Sequence, residues 1–388
     1  MFENLHAYAW SNNTAVLYFV IVITSSFFSW ASNYKIQKNA FNRLCFVKRE
    51  NGINKLLFFS SFLILWFFQA FSDVGTDRPV YKNIFLWSNS ETTFYNSAYG
   101  FSSIEKGYVL LNRIIRLFTS NKTIFFAIVS FVTLFLIFST IYYFKDRINI
   151  GASVLGYASL FYIQSFSLIR IYLASAILFY AIRYLITSKN IKYLICVVIA
   201  FFIHTSAIFM FLPFLLFFIY EKNKKISAFI VLGVFTLLYI KPNTILLFAS
   251  NFERYADYVN KGFLTSGSGI AQIIYFAPLF FIFLITRKKA EERYNDLFLI
   301  YTSIFLLLGI LSYKIEILGR IMYYATYPYL FFIPYYLKNL KTKASRWFYS
   351  LVAICVFIYY VLRLFIYLAD YCFEDGIMPY INIFLGSF

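Results

Sequence analysis

The chain has 388 residues, of which 61% are hydrophobic and 23% aromatic, while only 13% are charged. A soluble domain carries about 25% charged residues, so this composition excludes a water-soluble globule, and no alternating pattern of barrel strands is present. The net charge of +18 would suit nucleic acid as a surface patch, but here it is scattered through short connections between apolar blocks, so no nucleic-acid partner is expected.

The opening MFENLHAYAW lacks a basic stretch followed by an apolar core, so no cleaved signal peptide is expected. Apolar blocks follow at 15–31, 56–71, 123–144, 151–165, 171–187, 193–203, 206–220, 226–240, 270–286, 296–311, 321–336 and 347–368. Many approach the roughly 20 residues with which a helix spans a bilayer. The reading is an all-α polytopic integral membrane protein with about twelve membrane segments, two of them short or re-entrant. Alternate connections are basic: the stretch from Lys35 to Lys55, Lys145–Arg147, Lys189–Lys192, Lys222–Lys225, Arg287–Arg293 and Lys338–Arg346. Basic residues stay on the cytoplasmic side, which places both termini and the remaining loops outside.

Residues 1–388 read as a single membrane domain with three outer segments too long to be simple connectors. The first, 72–122, contains DVGTDRPVYKNIF and EKGYVLLNRIIRLF. Within it Tyr108, Leu111, Ile115 and Phe118 share one helical face, and Asn112, Arg113 and Arg116 another, which describes an amphipathic helix lying on the membrane surface. The second, 241–269, holds NFERYADYVNKG and the SGSG run, and the third is the tail 370–388. The stretch Tyr193–Tyr220 has basic residues at both ends but is too short for two spans of roughly 20 residues each. Either two short helices meet at His204–Thr205, or the segment is re-entrant, and a cavity near His204 is expected to satisfy the broken backbone. A single tilted span is the plainer alternative.

Soluble-enzyme signatures such as GxGxxG, a P-loop, HExxH or GxSxG are absent. With His6 and His204 as the only histidines and no CxxC among Cys45, Cys196, Cys355 and Cys372, no metal site and no structural disulfide is expected. The chemistry therefore falls to polar residues on the outer face. Arg170, Arg320, Arg254 and Arg78 read either as clamps for a phosphate or as interfacial arginines that snorkel to headgroups. Arg363, inside the last span, is a functional candidate by its depth. His204 reads as a base or phosphate partner, or as a buried ring at a helix break. Asp77 reads as a base or as the cap of the helix that Pro79 starts, with Glu105, Glu253 and Asp257 as weaker acids. The outer tyrosines suit sugar stacking or an ordinary aromatic belt.

In order along the chain, GTDRPVY (75–81), EKGYVLLN (105–112), LIRIYLASAILFYAIRYL (168–185), KYLICVVIAFFIHTSAIFMFLP (192–213), GRIMYYATYPYLFFIP (319–334) and PYINIF (379–384) resemble the EpsG family of Wzy-like repeat-unit polymerases. The family pattern carries an aromatic residue where Arg78 stands and Gln where Ile171 stands. The resemblance implies a metal-independent, cofactor-free glycosyltransferase with the helical GT-C-like fold of lipid-dependent sugar transferases. It would work in the bacterial cytoplasmic membrane with its site facing outward. Donor and acceptor would both be oligosaccharides on undecaprenyl diphosphate, with a chain-length regulator as a further partner. Arg170 and Arg320 would bind diphosphate with His204 in support, Asp77 and then Glu105 would be the base, and Tyr81, Tyr108, Asn112 and Tyr255 would meet sugar. A flippase for the same lipids would share the arginines but would carry internal repeats and short loops. An O-antigen-ligase-like transferase would differ only in its acceptor.

Overall fold

The computed structural model describes residues 10–38, 44–49, 52–88, 104–241, 269–315, 318–370 and 374–388. In chain order these form α1 (Asn12–Ala31), the hairpin β1 (Tyr34–Lys38) and β2 (Leu44–Lys48), α2 (Lys55–Ala70), α3 (Arg78–Trp87), α4 (Lys106–Phe118), α5 (Lys122–Tyr143) and α6 (Ile150–Tyr157). A π-turn at Ala158–Tyr162 leads on to α7 (Ile169–Ile186) and α8 (Asn190–Ile203), and a 3-10 turn at Thr205–Met210 to α9 (Phe211–Lys222). There follow α10 (Lys224–Ile240), α11 (Gly269–Thr286), α12 (Glu292–Ser312), α13 (Leu318–Thr326), α14 (Tyr329–Lys343), α15 (Arg346–Asp370), and the short strands β3 (Ile381–Asn382) and β4 (Gly386–Ser387).

The starts of these helices are written in their caps. Ser11, Asn54, Asn121, Asn149 and Asn223 each accept a hydrogen bond from a backbone N–H two or three residues on. That satisfies donors a bilayer would leave bare. Among the described residues seven helices are long and apolar enough to cross a membrane: α1, α5, α7, the 3-10 turn with α9, α11, α12 and α15. Three shorter apolar helices, α2, α6 with its π-turn, and α8, pack among them. The predicted block at 321–336 is two helices rather than one, because Pro328 interrupts the chain between α13 and α14. The hairpin β1–β2 was not anticipated; it lies in the first basic connection, where charge masked the alternating YKIQK and LCFVK.

The basic connections gather at one end of the bundle. Lys224 meets Glu292 at 2.6 Å, Arg293 meets Glu221 at 2.8 Å and Ser188 at 2.7 Å, and Lys338 donates to the Lys145 carbonyl at 3.0 Å. Arg293 thus touches both the chain entering α8 and the chain leaving α9, so these two helices form a hairpin that returns to its starting end. The break between them falls at His204, whose backbone is extended (φ −150°, ψ 116°). A single tilted span is ruled out. His204 at this break is 5% exposed, with Ser206 and Tyr324 within hydrogen-bond distance of its Nδ1.

At the opposite end the 72–122 segment and the tail are stitched together. Gly75 and Thr76 donate to the carbonyls of Gly376 and Asp375 at 2.8 and 2.9 Å, and Asp73 donates to Ile381 at 2.7 Å. Gly75 has φ +116°, and a side chain there would meet the Phe166 carbonyl oxygen at 2.7 Å; only glycine allows the loop to lie this close. The amphipathic helix α4 differs in detail from its sequence reading. Its buried face is Tyr108, Val109, Asn112 and Ile115, while Leu110, Leu117 and Phe118 are exposed. The polar side turns inward because Arg113 donates to the Ser88 carbonyl at 2.8 Å and Arg116 lies over Phe85. The apolar strip is left for the membrane surface. Gly107 sets the spacing between α4 and α8, since a Cβ there would sit 2.6 Å from both the Cβ and the carbonyl oxygen of Phe202. Gly107→Ala is expected to cost about 1–3 kcal/mol through overpacking, visible as a lower melting temperature of the detergent-solubilised protein. An unchanged melting temperature would show that the two helices can separate freely.

Candidate functional site

Two polar clusters form near the end stitched by the tail. The first is built around α7. The 3-10 turn Gln164–Phe166 and Leu168 (φ −89°, ψ 53°) redirect the chain so that Arg170 falls in the first turn of this helix. Its Nη1 donates to Glu105 Oε2 at 2.6 Å, and the two side chains are 11% and 5% exposed. The other carboxylate oxygen of Glu105 accepts from the backbone N–H of Thr205 at 3.2 Å, so one acid ties α4, α7 and the α8–α9 break together. The guanidinium also sits 5.6 Å from the Tyr81 ring and 5.7 Å from the Tyr108 ring. His204 Nδ1 lies 2.8 Å from Ser206 Oγ and 3.0 Å from Tyr324 Oη.

This geometry revises several readings. Arg170 does not snorkel; it is buried, and Glu105 is its countercharge. Glu105 has both oxygens engaged. Tyr81, Tyr108 and Asn112 are 3%, 0% and 0% exposed, so protein atoms surround their side chains. Asn112 spends a donor on the Tyr108 carbonyl one turn back, at 2.7 Å. The cluster is a self-neutralised lock.

Arg78 stands apart from it. Its guanidinium lies 3.8 Å above the Phe126 ring, and its Nε is 3.3 Å from Asp73 Oδ1. Burial pulls its pKa down to about 10, against the opposing charge of Asp73, so it stays cationic at neutral pH. Asp77 occupies the N-cap position of α3, with Pro79 just inside the helix, but its carboxylate does not cap the first turn. Arg254 and Tyr255 lie outside the described residues, as do Glu253 and Asp257.

The second cluster surrounds a cavity of about 300 Å³. α13 contributes Arg320 and Tyr323, α15 contributes Arg363 and Tyr367, and the tail contributes Glu374 and Asp375. Leu160, Phe161, Phe276 and Phe305 make its apolar side, with Gln164 and Gln272 among them. Neither arginine makes an ion pair with an acid among the described residues. Arg363 stacks 4.0 Å from the Tyr275 ring, and its Nε and Nη1 are buried with no hydrogen-bond partner among the described residues. Tyr367 Oη donates to Asp375 Oδ2. Burial raises the Asp375 pKa to about 6, opposed by the Tyr367 hydrogen bond and reinforced by the charges of Glu374 and Asp77. A concave site of mixed apolar and polar lining, with two unpaired cations and a weakened acid, is equipped to hold a polyanion and move a proton.

Of the sequence candidates, this cavity gathers Arg320 and Arg363; Arg170, Glu105 and His204 belong to the lock beside it. Sequence reasoning missed Glu374 and Asp375. The signal was available, since two adjacent acids stand before Gly376 in an outer segment of a chain with only 17 acids. Gln164 and Gln272 were likewise visible as amides within apolar blocks.

A family model for the EpsG family matches residues 55–382, which include both clusters and every cavity-lining residue. No curated protein and no solved structure matches the chain.

Proposed function

The chain belongs to the EpsG family, the family of exopolysaccharide and Wzy-like polymerases, and from that membership we propose that it polymerises lipid-linked polysaccharide repeat units. The observation that carries the reading to a site is the cavity with Arg320 and Arg363, two guanidinium groups that no described acid neutralises. A lipid diphosphate offers these two guanidinium groups a countercharge, and planar guanidinium forks fit phosphate oxygens. In the proposed reaction the donor is a growing glycan on undecaprenyl diphosphate, and the acceptor is the terminal sugar of a second lipid-linked repeat unit. Arg320 and Arg363 hold the diphosphate as it leaves. No metal or cofactor is invoked. The twelve-segment arrangement with a GT-C-like bundle, the cytoplasmic membrane and an outward-facing site belong to the same reading. Supporting it, the cavity lies at the end away from the gathered lysines and arginines, as the distribution of basic loops requires for an outer site. A chain-length regulator would act on this outer face.

Deleting the gene in its host and separating the surface glycan on a gel tests the proposal. A polymerase predicts collapse from long chains to a single repeat unit on the carrier. Unchanged chain length would sink the reading, and loss of all surface glycan would point to a flippase instead.

A further inference from the structure

The polymerase reading leaves open which group accepts the proton of the attacking hydroxyl. We propose that the carboxylate of Asp375, presented to the cavity by the C-terminal tail and held by Tyr367, is that general base. The inference rests on the polymerase reading and adds a residue to it.

Glu105 has one oxygen on Arg170 and the other on Thr205, and it lines no part of the cavity. Asp77 also lies outside the lining. Glu374 is exposed at the rim, and its contribution to the fold is through its carbonyl, which accepts from Thr76 Oγ1 at 2.5 Å. Asp375 is different. It lines the cavity beside the arginines, its Oδ2 is fixed by Tyr367, and its Oδ1 takes no hydrogen bond among the described residues.

The backbone around it is built to hold this position. Thr76 donates to the Asp375 carbonyl, Gly75 to that of Gly376, and Tyr18 Oη to that of Ile377 at 2.8 Å. Further along, Tyr380 donates twice: its N–H reaches Thr14 Oγ1 at 2.9 Å and its hydroxyl reaches the Phe68 carbonyl at 2.7 Å. The tail is thus a fixed wall, and a base needs such placement before its pKa matters.

The chemistry balances with the groups present. The acceptor hydroxyl oxygen forms a bond to the anomeric carbon as that carbon's bond to the diphosphate oxygen breaks. The electron pair leaves with the diphosphate toward Arg320 and Arg363, and the hydroxyl proton passes to Asp375. The groups facing Asp375 are Tyr367 on α15, Tyr172 on α7, Glu374 in the tail and Asp77 in the loop, with Arg320 and Arg363 across the cavity. With its pKa near 6, Asp375 is ionised at neutral pH and yet basic enough to take a proton, close to the optimum for such a catalyst.

The test uses membranes carrying the full-length chain and, as probe, the lipid-linked repeat unit extracted from the deletion strain. If that strain accumulates no single-unit lipid, the polymerase reading itself has failed and Asp375 is not reached. Given the probe, Asp375→Asn at wild-type protein level is expected to slow elongation by about 100-fold or more, and Asp375→Glu to restore part of it. Tyr367→Phe removes the hydrogen bond that favours the carboxylate, so the acid limb of the rate profile should move to higher pH while the alkaline plateau survives. Elongation by Asp375→Asn at the wild-type rate would overturn the assignment, and so would an acid limb unmoved in Tyr367→Phe.

Discussion

Replacing Arg320 and Arg363 together by alanine should abolish growth of the glycan ladder while leaving the protein at its normal level in the membrane. The charge argument sets the size of the effect. In the proposed reaction the diphosphate leaves bearing new negative charge, and removing one preorganised donor to such a charge costs about 100-fold to 1000-fold in rate. Each single variant should therefore be severe and the double variant indistinguishable from a deletion. Normal accumulation is expected because neither arginine supports the fold through an ion pair with a described acid. Arg363 contributes a stacking contact with Tyr275, so Arg363→Lys keeps the charge but loses the planar fork, and should recover only a fraction of the activity. Full-length ladders from either alanine variant would remove that residue from the diphosphate site.

A second large effect is expected at Glu105, and it is an effect on folding. Glu105→Gln leaves Arg170 buried without its countercharge and the Thr205 N–H with a poorer acceptor. Losing one partner of a buried pair costs about 3–5 kcal/mol, a large share of the 5–15 kcal/mol that holds a typical domain together. The variant should fail to accumulate, or melt well below the wild type in detergent. Pairing it with Arg170→Met, which removes the stranded charge, should return much of the protein, because the two changes are coupled through one interaction. A Glu105→Gln protein that accumulates normally yet elongates nothing would instead make Glu105 a catalytic acid or base.

Much of the scaffold was legible from local signals. The apolar blocks at 123–144 and 171–187 became α5 and α7 nearly residue for residue, since a membrane helix must close its own backbone hydrogen bonds whatever its neighbours do. The break at His204 was legible for the same kind of reason: basic residues flank a stretch too short for two full spans, and His-Thr-Ser in the middle of it interrupts the apolar run. The face of α4 was misjudged because Asn112 and Arg113 look solvent-bound in isolation. Their partners, Ser88 and the Tyr108 carbonyl, include a residue far along the chain. Arg170 and Glu105 were both singled out, yet their pairing joins positions 65 apart in sequence, and periodicity carries no information about such a contact.

What the sequence determined alone was the solvent: too little charge for water, apolar blocks of membrane length, and basic connections confined to one side. These are one-dimensional properties, set by how many residues cross a slab and what each costs to bury. What tertiary structure alone decided was the role of each charge. Arg170 and Arg320 look alike as arginines at the mouth of a helix, but one is neutralised by Glu105 and the other opens on a cavity and pairs with no acid among the described residues. That difference depends on which distant loop folds back over each, here the EKGY segment over Arg170 and the EDG tail beside Arg320. An ion's function follows from its solvation and its countercharge, and both are supplied by residues remote in the chain.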